Sequence, residues 1–265
     1  MADDLAIIVP VFNEEDNILP LAGQVARALA NQPRPYELVF VDDASTDQTW
    51  ARIGEAARTD SRVHGLRHQS HAGQSAAFWT GLRSTRSELV ATLDGDLQND
   101  PADLPEMLAQ LAEADLVCGV RLERCDPGLR RLSTRVARHA RRLALGVDFR
   151  DTGCFLRVFR RQALEGVVPF NGWHRFLPIL VHAAGWTVRE MPVHHRPRTA
   201  GKSKYGVWNR LGRGLYDLVG VGWLLARRLR PVAILPLADA AAGPQRNCSS
   251  TDRKSSGTGA SSRIR

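Results

Sequence analysis

The residues best suited to chemistry in this 265-residue sequence are acidic and follow short apolar runs. Asp94, Asp96 and Gln98 alternate in the segment DGDLQ, directly after the apolar run LVATL. If the chain stays extended there, side chains two residues apart face the same side, so both carboxylates and the amide converge. Such oxygen ligands suit Mg²⁺ or Mn²⁺, with a diphosphate completing the shell. We therefore predict a divalent-metal site here, with Gly95 allowing a ligand close to the backbone.

Two further polar clusters also follow apolar runs. Asp42 and Asp43 begin the segment DDASTD, and the segment PVFNEE closes the first apolar run of the chain. Carboxylates that converge repel one another unless a cation is present, so such a cluster favours a metal or a cationic ligand. The sequence has neither a GxxxxGK[ST] loop nor glycines after the first run, so a nucleotide would be held without a glycine-rich loop.

The elements that would position these clusters alternate between strand and helix patterns. Strands are predicted at Leu5–Val11, Glu37–Val41, Val63–Arg67, Leu89–Leu93 and Asp115–Val120, and helices at Asn17–Asn31, Gln48–Arg58 and Gln74–Thr85. This order predicts an α/β fold, with a mostly parallel sheet covered by helices on both faces. Ligands of such sheets bind at the carboxyl ends of the strands, so the three clusters are expected to line one cleft.

The second half of the chain is less regular. Helices are predicted at 130–145, Trp173–Ala184 and Val207–Arg230, and strands at Cys154–Arg160 and Thr187–Val193. The last helix is apolar with flanking Arg and Trp, which suits a helix lying in a bilayer interface, and packing on the domain is the alternative. We therefore divide the chain into a catalytic domain at 1–206, a basic amphipathic helix apposed to a membrane at 207–231, and a disordered tail at 232–265.

Charge and composition narrow the class of protein. The formal net charge is +8, and arginines crowd the ranges 121–142 and 196–230. A basic half suits nucleic acid, an anionic membrane surface or phosphate-bearing substrates. The four cysteines are scattered, which favours a reducing cytosol over a disulfide or zinc scaffold. No apolar run approaches the length of a membrane-spanning helix, about 18–20 residues, so no such helix is expected.

Longer segments of the sequence resemble a known family. PVFNEEDN, VDDASTDQT, HAGQSAA and LDGDLQNDP resemble, in order and spacing, the family 2 glycosyltransferases with the GT-A fold. The segments at Gly119–Arg121, Asp151–Arg161, Trp173–Trp186 and Arg196–Gly206 are similar to the polyprenyl-phosphate glycosyltransferases. That subgroup includes dolichol-phosphate mannosyltransferase and bacterial undecaprenyl-phosphate sugar transferases. The resemblance covers about residues 5–230 and implies a three-layer α/β/α GT-A fold.

The resemblance also implies roles for matching residues. The nucleotide sugar would be bound by Pro10, Phe12, Glu14, Asp42, Asp43 and Asp94, and the metal by Asp94, Asp96 and Gln98. The acceptor phosphate would be bound by Arg121, Arg131, Ser133, Arg198, Ser203 and Lys204. Asp94, Asp96, Arg121 and Arg198 would be catalytic. His174 and Arg175 could approach the acceptor, and Asp151 would orient the arginines or serve as a base. The family often has a serine where Val120 stands, which removes a possible hydroxyl contact.

These features predict an inverting transfer of a mannose- or glucose-type sugar from GDP-mannose or UDP-glucose to dolichyl or undecaprenyl phosphate. A sugar hydroxyl needs a base to remove its proton, whereas a phosphate monoester, with a second pKa of about 6, is already ionised at pH 7. Cations for the acceptor and a metal for the diphosphate then suffice. The enzyme would sit on the cytoplasmic face of the membrane, with a separate membrane protein as a possible partner. A sugar-hydroxyl acceptor and, remotely, a nucleic-acid-binding protein are the alternatives.

Overall fold

The computed structural model describes residues 4–121, 142, 146–196 and 207–228, with the backbone alone described for 207–215. The strands are β1 (Leu5–Val11), β2 (Tyr36–Asp42), β3 (Val63–Arg67), β4 (Leu89–Thr92), β5 (Leu116–Arg121), β6 (Arg157–Arg160) and β7 (Val188–Val193). The helices are α1 (Ile18–Ala28), α2 (Thr49–Thr59), α3 (Gln74–Ser84), α4 (Leu104–Ala109), α5 (Leu177–Ala183) and α6 (Val207–Ala226). These elements lie in one compact unit, Met1–Arg227, and a second unit, Arg228–Arg265, is described only at Arg228.

The seven strands form one sheet in the order β3-β2-β1-β4-β6-β5-β7. All neighbouring pairs are parallel except those of β6, which is antiparallel to both β4 and β5. The interior strand β1 is almost fully buried over Leu5–Val9, as expected for a strand covered on both faces. The predicted α/β fold with a mostly parallel sheet is therefore confirmed.

Helices cover both faces because successive strand side chains alternate between them. Ile7 and Val9 of β1 belong to the core formed with α1, α2 and α4. Ile8 belongs to the opposite core, formed with α3 and α5, which also takes in Val221 of α6. Sheet and helices thus make the predicted three layers. None of the described helices is both long and apolar enough to cross a membrane.

The departures from the predicted elements lie mainly after β4. The predicted strand Cys154–Arg160 pairs only from Arg157, and Trp173–Ala184 divides into a 3₁₀ turn, Trp173–Arg175, followed by α5. The helix predicted to reach Arg230 ends at Ala226. The predicted helix at 130–145 and the tail at 232–265 lie outside the described residues, apart from residue 142.

A helical segment that the sequence analysis missed follows β4. It runs as a 3₁₀ turn at Pro101–Asp103, then α4, then a 3₁₀ turn at Gln110–Ala112. Asp100 caps its start, because its side chain accepts a hydrogen bond from the backbone N–H of Ala102 at 3.1 Å. The sequence contains a signal for the start of this helical segment, because an aspartate at the cap position is followed by proline at the first helical position.

Candidate active site

The loop after β4, residues 94–103, is called the acid loop below. Its chain does not stay extended, contrary to our expectation, because Asp96 Oδ1 accepts a hydrogen bond from the backbone N–H of Gln98 at 3.2 Å. Leu97 takes a positive φ of 61° in this turn. Gly95 was expected to admit a ligand, but a Cβ there would lie 2.6 Å from Val11 Cγ1. Glycine is therefore required here by the approach of β1.

Asp94 is the half-buried carboxylate at the centre of the site. Its Oδ1 accepts from Gln74 Nε2 and its Oδ2 from Asn99 Nδ2, both at 3.1 Å. Burial and the negative charge of Asp96 raise the pKa of Asp94 to about 6, although both amide hydrogen bonds and the positive charge of Arg121 act to lower it. The ionised form is thus disfavoured until more positive charge arrives.

The predicted metal ligands are hard oxygen donors whose charge favours a cation. Asp94 and Asp96 repel one another, and a divalent ion would relieve that repulsion. The side-chain amide of Gln98 donates to the carbonyl oxygen of Arg196 at 3.4 Å, so its oxygen is the atom with the right chemistry for a metal. Within the described ranges, no group of three His, Cys, Asp or Glu side chains could hold a metal.

Asp43 lies at the end of β2, and donors of the protein surround its carboxylate. Oδ1 accepts from His68 Nδ1 at 2.7 Å and from the backbone N–H of Ala72 at 2.9 Å. Oδ2 accepts from the backbone N–H of Gly73 at 2.7 Å and lies 2.9 Å from His71 Nδ1. Burial alone would raise its pKa, but these hydrogen bonds bring the pKa below the ordinary value. Asp43 therefore anchors the turn that starts α3.

Asp42 is fully buried and holds the loop that follows it. Its Oδ1 accepts from the backbone N–H of Ser45 at 2.9 Å, and Arg67 Nε lies 3.1 Å from Oδ2. Ser45 in turn accepts from the backbone N–H of Asn13 at 2.9 Å, so the loops after β1 and β2 are bonded together. Asp42 therefore shapes the two loops at this edge of the sheet.

The residues after β1 lie beside those loops. The ring centroids of Phe12 and His71 are 4.4 Å apart, with a tilt of 41°. Glu14 accepts from Asn17 Nδ2 at 2.6 Å, and its backbone N–H donates to Thr49 Oγ1 at 2.8 Å. With Gln74 on Asp94, the structure thus brings the three polar clusters to one edge of the sheet, as predicted. Pro10 is the next-to-last residue of β1, and its carbonyl oxygen lies 3.4 Å from the position that a Cβ on Gly95 would occupy.

Arg121 ends β5 at the same edge and is paired with Asp151. Arg121 Nε donates to Asp151 Oδ2 at 2.7 Å, and one terminal nitrogen donates to Oδ1 at 2.9 Å. The side chain of Arg121 is 20% exposed. Burial works to lower the pKa of Arg121, but the Asp151 hydrogen bonds and charge raise it overall. This bidentate geometry favours the orienting role for Asp151 over the role of a base.

His174 is buried and bonded, whereas Arg175 is exposed. His174 Nδ1 lies 2.7 Å from Ser75 Oγ, which also accepts from the backbone N–H of Gly172 at 2.8 Å. Burial, with the positive charges of Arg175 and Arg157, lowers the pKa of His174 to about 3, so the imidazole is neutral at pH 7. His174 links the start of α3 to the segment before α5.

Arg131, Ser133, Arg198, Ser203 and Lys204 lie outside the described residues. The sequence analysis missed Gln74 and Asn99, the two amides on Asp94. Asn99 ends the segment DGDLQN, so its closeness in sequence to Asp94 and Asp96 was a signal that could have identified it as part of the site. Gln74 lies 20 residues away, and no spacing rule connects it to Asp94.

Comparison with known proteins bears on this site. Residues 6–168 match the family model described as glycosyl transferase family 2. The chain is 37% identical over 86% of its length to dodecaprenyl-phosphate galacturonate synthase of Rhizobium johnstonii. It is 36% identical over 82% of its length to undecaprenyl-phosphate 4-deoxy-4-formamido-L-arabinose transferase of Shewanella sediminis. It spans 69% and 66% of the lengths of these relatives, respectively.

Solved structures support the fold. Glucosyl-3-phosphoglycerate synthase from Mycobacterium tuberculosis, in complex with Mn²⁺, UDP-glucose and glycerol 3-phosphate, superposes with a TM-score of 0.61. The match covers 87% of this chain and 82% of that chain, at 18% sequence identity. At 18% sequence identity this similarity shows the fold alone, and it confirms the predicted GT-A architecture.

Proposed function

The chain belongs to glycosyl transferase family 2, and we propose that it transfers a sugar from a nucleotide-sugar donor to a polyprenyl phosphate. The resemblance to polyprenyl-phosphate sugar transferases is confirmed by the two curated relatives, whose names give a dodecaprenyl-phosphate and an undecaprenyl-phosphate acceptor. Because the chain spans about two thirds of their lengths, the activity of the whole protein remains a proposal.

The observation that carries the proposal is the meeting of acids and arginines at one edge of the sheet. The charge of Arg121 acts on the pKa of Asp94. The backbone N–H of Arg196 donates to the carbonyl oxygen of Gln98 at 2.8 Å, inside the acid loop. A site that joins a nucleotide diphosphate to a second phosphate needs both kinds of group close together.

In the proposed step an oxygen of the lipid phosphate attacks the anomeric carbon of the sugar. A new carbon–oxygen bond to that phosphate forms while the bond to the nucleotide diphosphate breaks, and the diphosphate leaves with the electron pair. The configuration inverts because attack and departure occur on opposite sides. No base is required, since the attacking phosphate is already ionised at pH 7. Arg121, held by Asp151, neutralises the attacking phosphate, and Arg198 is proposed to act with it.

Asp94 and Asp96, with the oxygen of Gln98, would hold a divalent cation such as Mg²⁺ or Mn²⁺. That ion, when bound, would neutralise negative charge on the donor diphosphate. Gln74 and Asn99 fix the orientation of the Asp94 carboxylate through their 3.1 Å hydrogen bonds. The M. tuberculosis neighbour was crystallised with Mn²⁺ and UDP-glucose, which supports testing both in this chain.

The sugar is the finer part of the proposal. The sequence analysis named a mannose or glucose type, whereas the two relatives are named for a galacturonate and a formamido-arabinose. We therefore extend the proposed donors to uronic-acid and amino-pentose nucleotides, and give UDP donors precedence over GDP-mannose because the structural neighbour binds UDP-glucose.

Helix α6 is proposed to lie against an anionic membrane surface on the cytoplasmic side. Its residues Tyr216, Val219 and Trp223 are 81%, 68% and 65% exposed. They lie three and four residues apart and so share one face of the helix. Val221 on the other face is buried in the core with α3 and α5. An exposed aromatic face beside arginines suits the bilayer interface.

Replacing these three residues together tests the membrane role. The variant Tyr216→Ser, Val219→Ser, Trp223→Ser should bind vesicles of phosphatidylglycerol and phosphatidylcholine at least about tenfold more weakly. Val168→Ser is the matched control, because Val168 is 56% exposed and lies outside α6. Equal vesicle binding by the triple variant and the wild type in a sedimentation assay would reject this role.

A transfer assay tests the function itself. Purified protein is incubated with undecaprenyl phosphate, Mn²⁺ or Mg²⁺, and radiolabelled UDP-galacturonate, UDP-4-deoxy-4-formamido-L-arabinose, UDP-glucose or GDP-mannose. We expect label in the organic phase with one donor, and none after addition of EDTA. In parallel incubations with a soluble glycan in place of the lipid, label transferred only to that glycan would instead establish the sugar-hydroxyl alternative.

A further inference from the structure

The segment that leaves β7 is fastened to the acid loop. His194–Arg196, called the exit segment here, directly follows β7. His195 pairs with Asn99 in an antiparallel bridge. The backbone N–H of Arg196 donates to the carbonyl oxygen of Gln98 at 2.8 Å, and the Gln98 side chain donates back to the carbonyl oxygen of Arg196 at 3.4 Å. The acid loop and the exit segment therefore share main-chain hydrogen bonds.

Two carboxylates beyond the metal ligands fix the same segment. Asp103, which is 6% exposed, accepts from the backbone N–H of His194 at 2.8 Å with Oδ2 and contacts His194 Nδ1 at 2.7 Å with Oδ1. Asp100 pairs with the guanidinium of Arg196, which also donates to Gln24 Oε1 of α1 at 2.9 Å. Of the two carboxylates, Asp103 is the more buried, and it is the one that accepts from a backbone N–H of the exit segment.

The contacts continue to the centre of the site. Asn99 pairs with His195 and also donates to Asp94 Oδ2 at 3.1 Å. A displacement of the exit segment would therefore move a residue that orients Asp94. The exit segment ends at Arg196, two residues before Arg198 in the sequence. The proposed function assigns acceptor binding to Arg198.

Resting on the proposed function, we propose that Asp103 is a positioning residue that holds the exit segment against the acid loop and so sets the affinity for the acceptor phosphate. The hydrogen bond from the His194 backbone carries this effect. The ion pair adds little, because the His194 side chain is 80% exposed and solvent screens it. The raised pKa of His194, caused by its hydrogen bond to Asp103 and the charge of Asp103, agrees with the contact.

The other end of β7 offers a matched control. Asp115 Oδ2 accepts from the backbone N–H of Thr187 at 2.9 Å, one residue before β7 begins. Asp103 and Asp115 thus make the same kind of bond, a carboxylate to a backbone N–H, at opposite ends of one strand. Of the two, only Asp103 belongs to the acid loop, as its last residue. A purely structural role for Asp103 would make the two variants behave alike.

The experiment compares Asp103→Ala, Asp103→Asn, Asp115→Ala and His194→Ala in the full chain. For Asp103→Ala we expect the KM for undecaprenyl phosphate to rise about tenfold, as loss of one buried hydrogen bond to a charged acceptor implies. Binding of UDP, measured by calorimetry with Mn²⁺, should stay within about twofold. Asp103→Asn, which keeps one accepting oxygen, should lie between Asp103→Ala and the wild type.

The controls separate the possible failures. Asp115→Ala and His194→Ala should leave the acceptor KM near the wild-type value, the second because it keeps the backbone bond. An acceptor KM unchanged in both Asp103 variants, or raised equally in Asp115→Ala, would overturn the positioning role. If Asp103→Ala does not fold, the KM of Asp103→Asn decides. A wild-type protein that binds UDP without transferring sugar to any polyprenyl phosphate would reject the proposed function instead.

Discussion

The ends of β2 and β4 carry similar acidic pairs, Asp42–Asp43 and Asp94 with Asp96, yet their electrostatics are opposite. The carboxylate of Asp43 receives four contacts from backbone N–H groups and histidines, and its pKa is lowered. The carboxylate of Asp94 receives two neutral amides and faces the charge of Asp96, and its pKa is raised to about 6. The carboxylate at one end is fully hydrogen-bonded by the protein, whereas the carboxylate at the other keeps a raised pKa despite the positive charge of Arg121.

This difference separates an anchor from a site. A buried carboxylate that already has its hydrogen bonds stabilises the fold and gains little from a ligand. A carboxylate held beside another negative charge destabilises the fold and gains when a cation binds. Asp43 therefore belongs to the framework of the site, whereas Asp94 has the electrostatics expected of the proposed cation ligand.

Asp94→Asn is the change with the largest expected effect. It removes the charge that a divalent cation would meet and keeps the size of the side chain. We expect the rate of sugar transfer to fall by about 10³-fold, the upper range for loss of one electrostatic group at a reacting centre. Thermal unfolding without metal should occur at an equal or higher temperature than in the wild type. A variant with more than a tenth of the wild-type rate would contradict the proposed role of Asp94.

Asp43→Asn should act on stability instead. Its new NH₂ group would replace either Oδ1 or Oδ2 and so would face the backbone N–H of either Ala72 or Gly73, which sets a donor against a donor. We expect the free energy of unfolding to fall by about 3 kcal/mol, as for other buried charged networks that lose one partner. Urea denaturation measures this fall, and Asp94→Asn provides the contrast. A loss below about 1 kcal/mol would remove the distinction between the two ends.

The smallest predicted effect is the pH dependence of stability without metal. The folded pKa of Asp94, about 6, exceeds its ordinary value of 3.8, so its stabilising contribution is lost as pH rises through about 6. The unfolding free energy of the wild type relative to Asp94→Asn should fall by about 1–2 kcal/mol between pH 4.5 and 7.5, after allowance for solvent.

For Asp43 the sign is reversed, because its pKa is lowered. Its contribution is present above the ordinary pKa and is lost only as pH falls below about 4. The stability advantage of the wild type over Asp43→Asn should therefore shrink as the pH falls from about 4 to 2.5 in denaturation with EDTA. A slope of the same sign for both variants would contradict the contrast between the two ends.

The regular first half of the fold was predictable, because local pattern decides it. A continuous apolar run places β1 at the predicted residues, Leu5–Val11, and β3 also has its predicted bounds, Val63–Arg67. The direction of β6 was not predictable, because hydrophobic periodicity does not encode strand direction. The turn at Gly95–Gln98 was also missed, because an aspartate that accepts from the backbone two residues ahead overrides extended geometry.

The site was predictable in its acids and not in their partners. Asp94 and Asp96 follow from a short motif, whereas Gln74 and His194 reach their carboxylates across 20 and 91 residues. Such contacts depend on how β7 and α3 pack on the sheet, which the pattern of a single segment does not contain. Asp43 shows the same limit, because the sequence predicted its role in binding the nucleotide sugar and not its anchoring of the turn that starts α3.

The antiparallel strand β6 has a consequence for synthesis of the chain. The strands β1 to β4 all lie within the first 92 residues, so a ribosome releases this parallel part early. The edge of β4 that pairs with β6 stays unpaired until Arg157–Arg160 has been synthesised, 65 residues later. During that interval the nascent protein presents an unpaired apolar edge, which invites association with other chains. We expect nascent chains stalled between residues 92 and 157 to depend on chaperones more than the finished protein does.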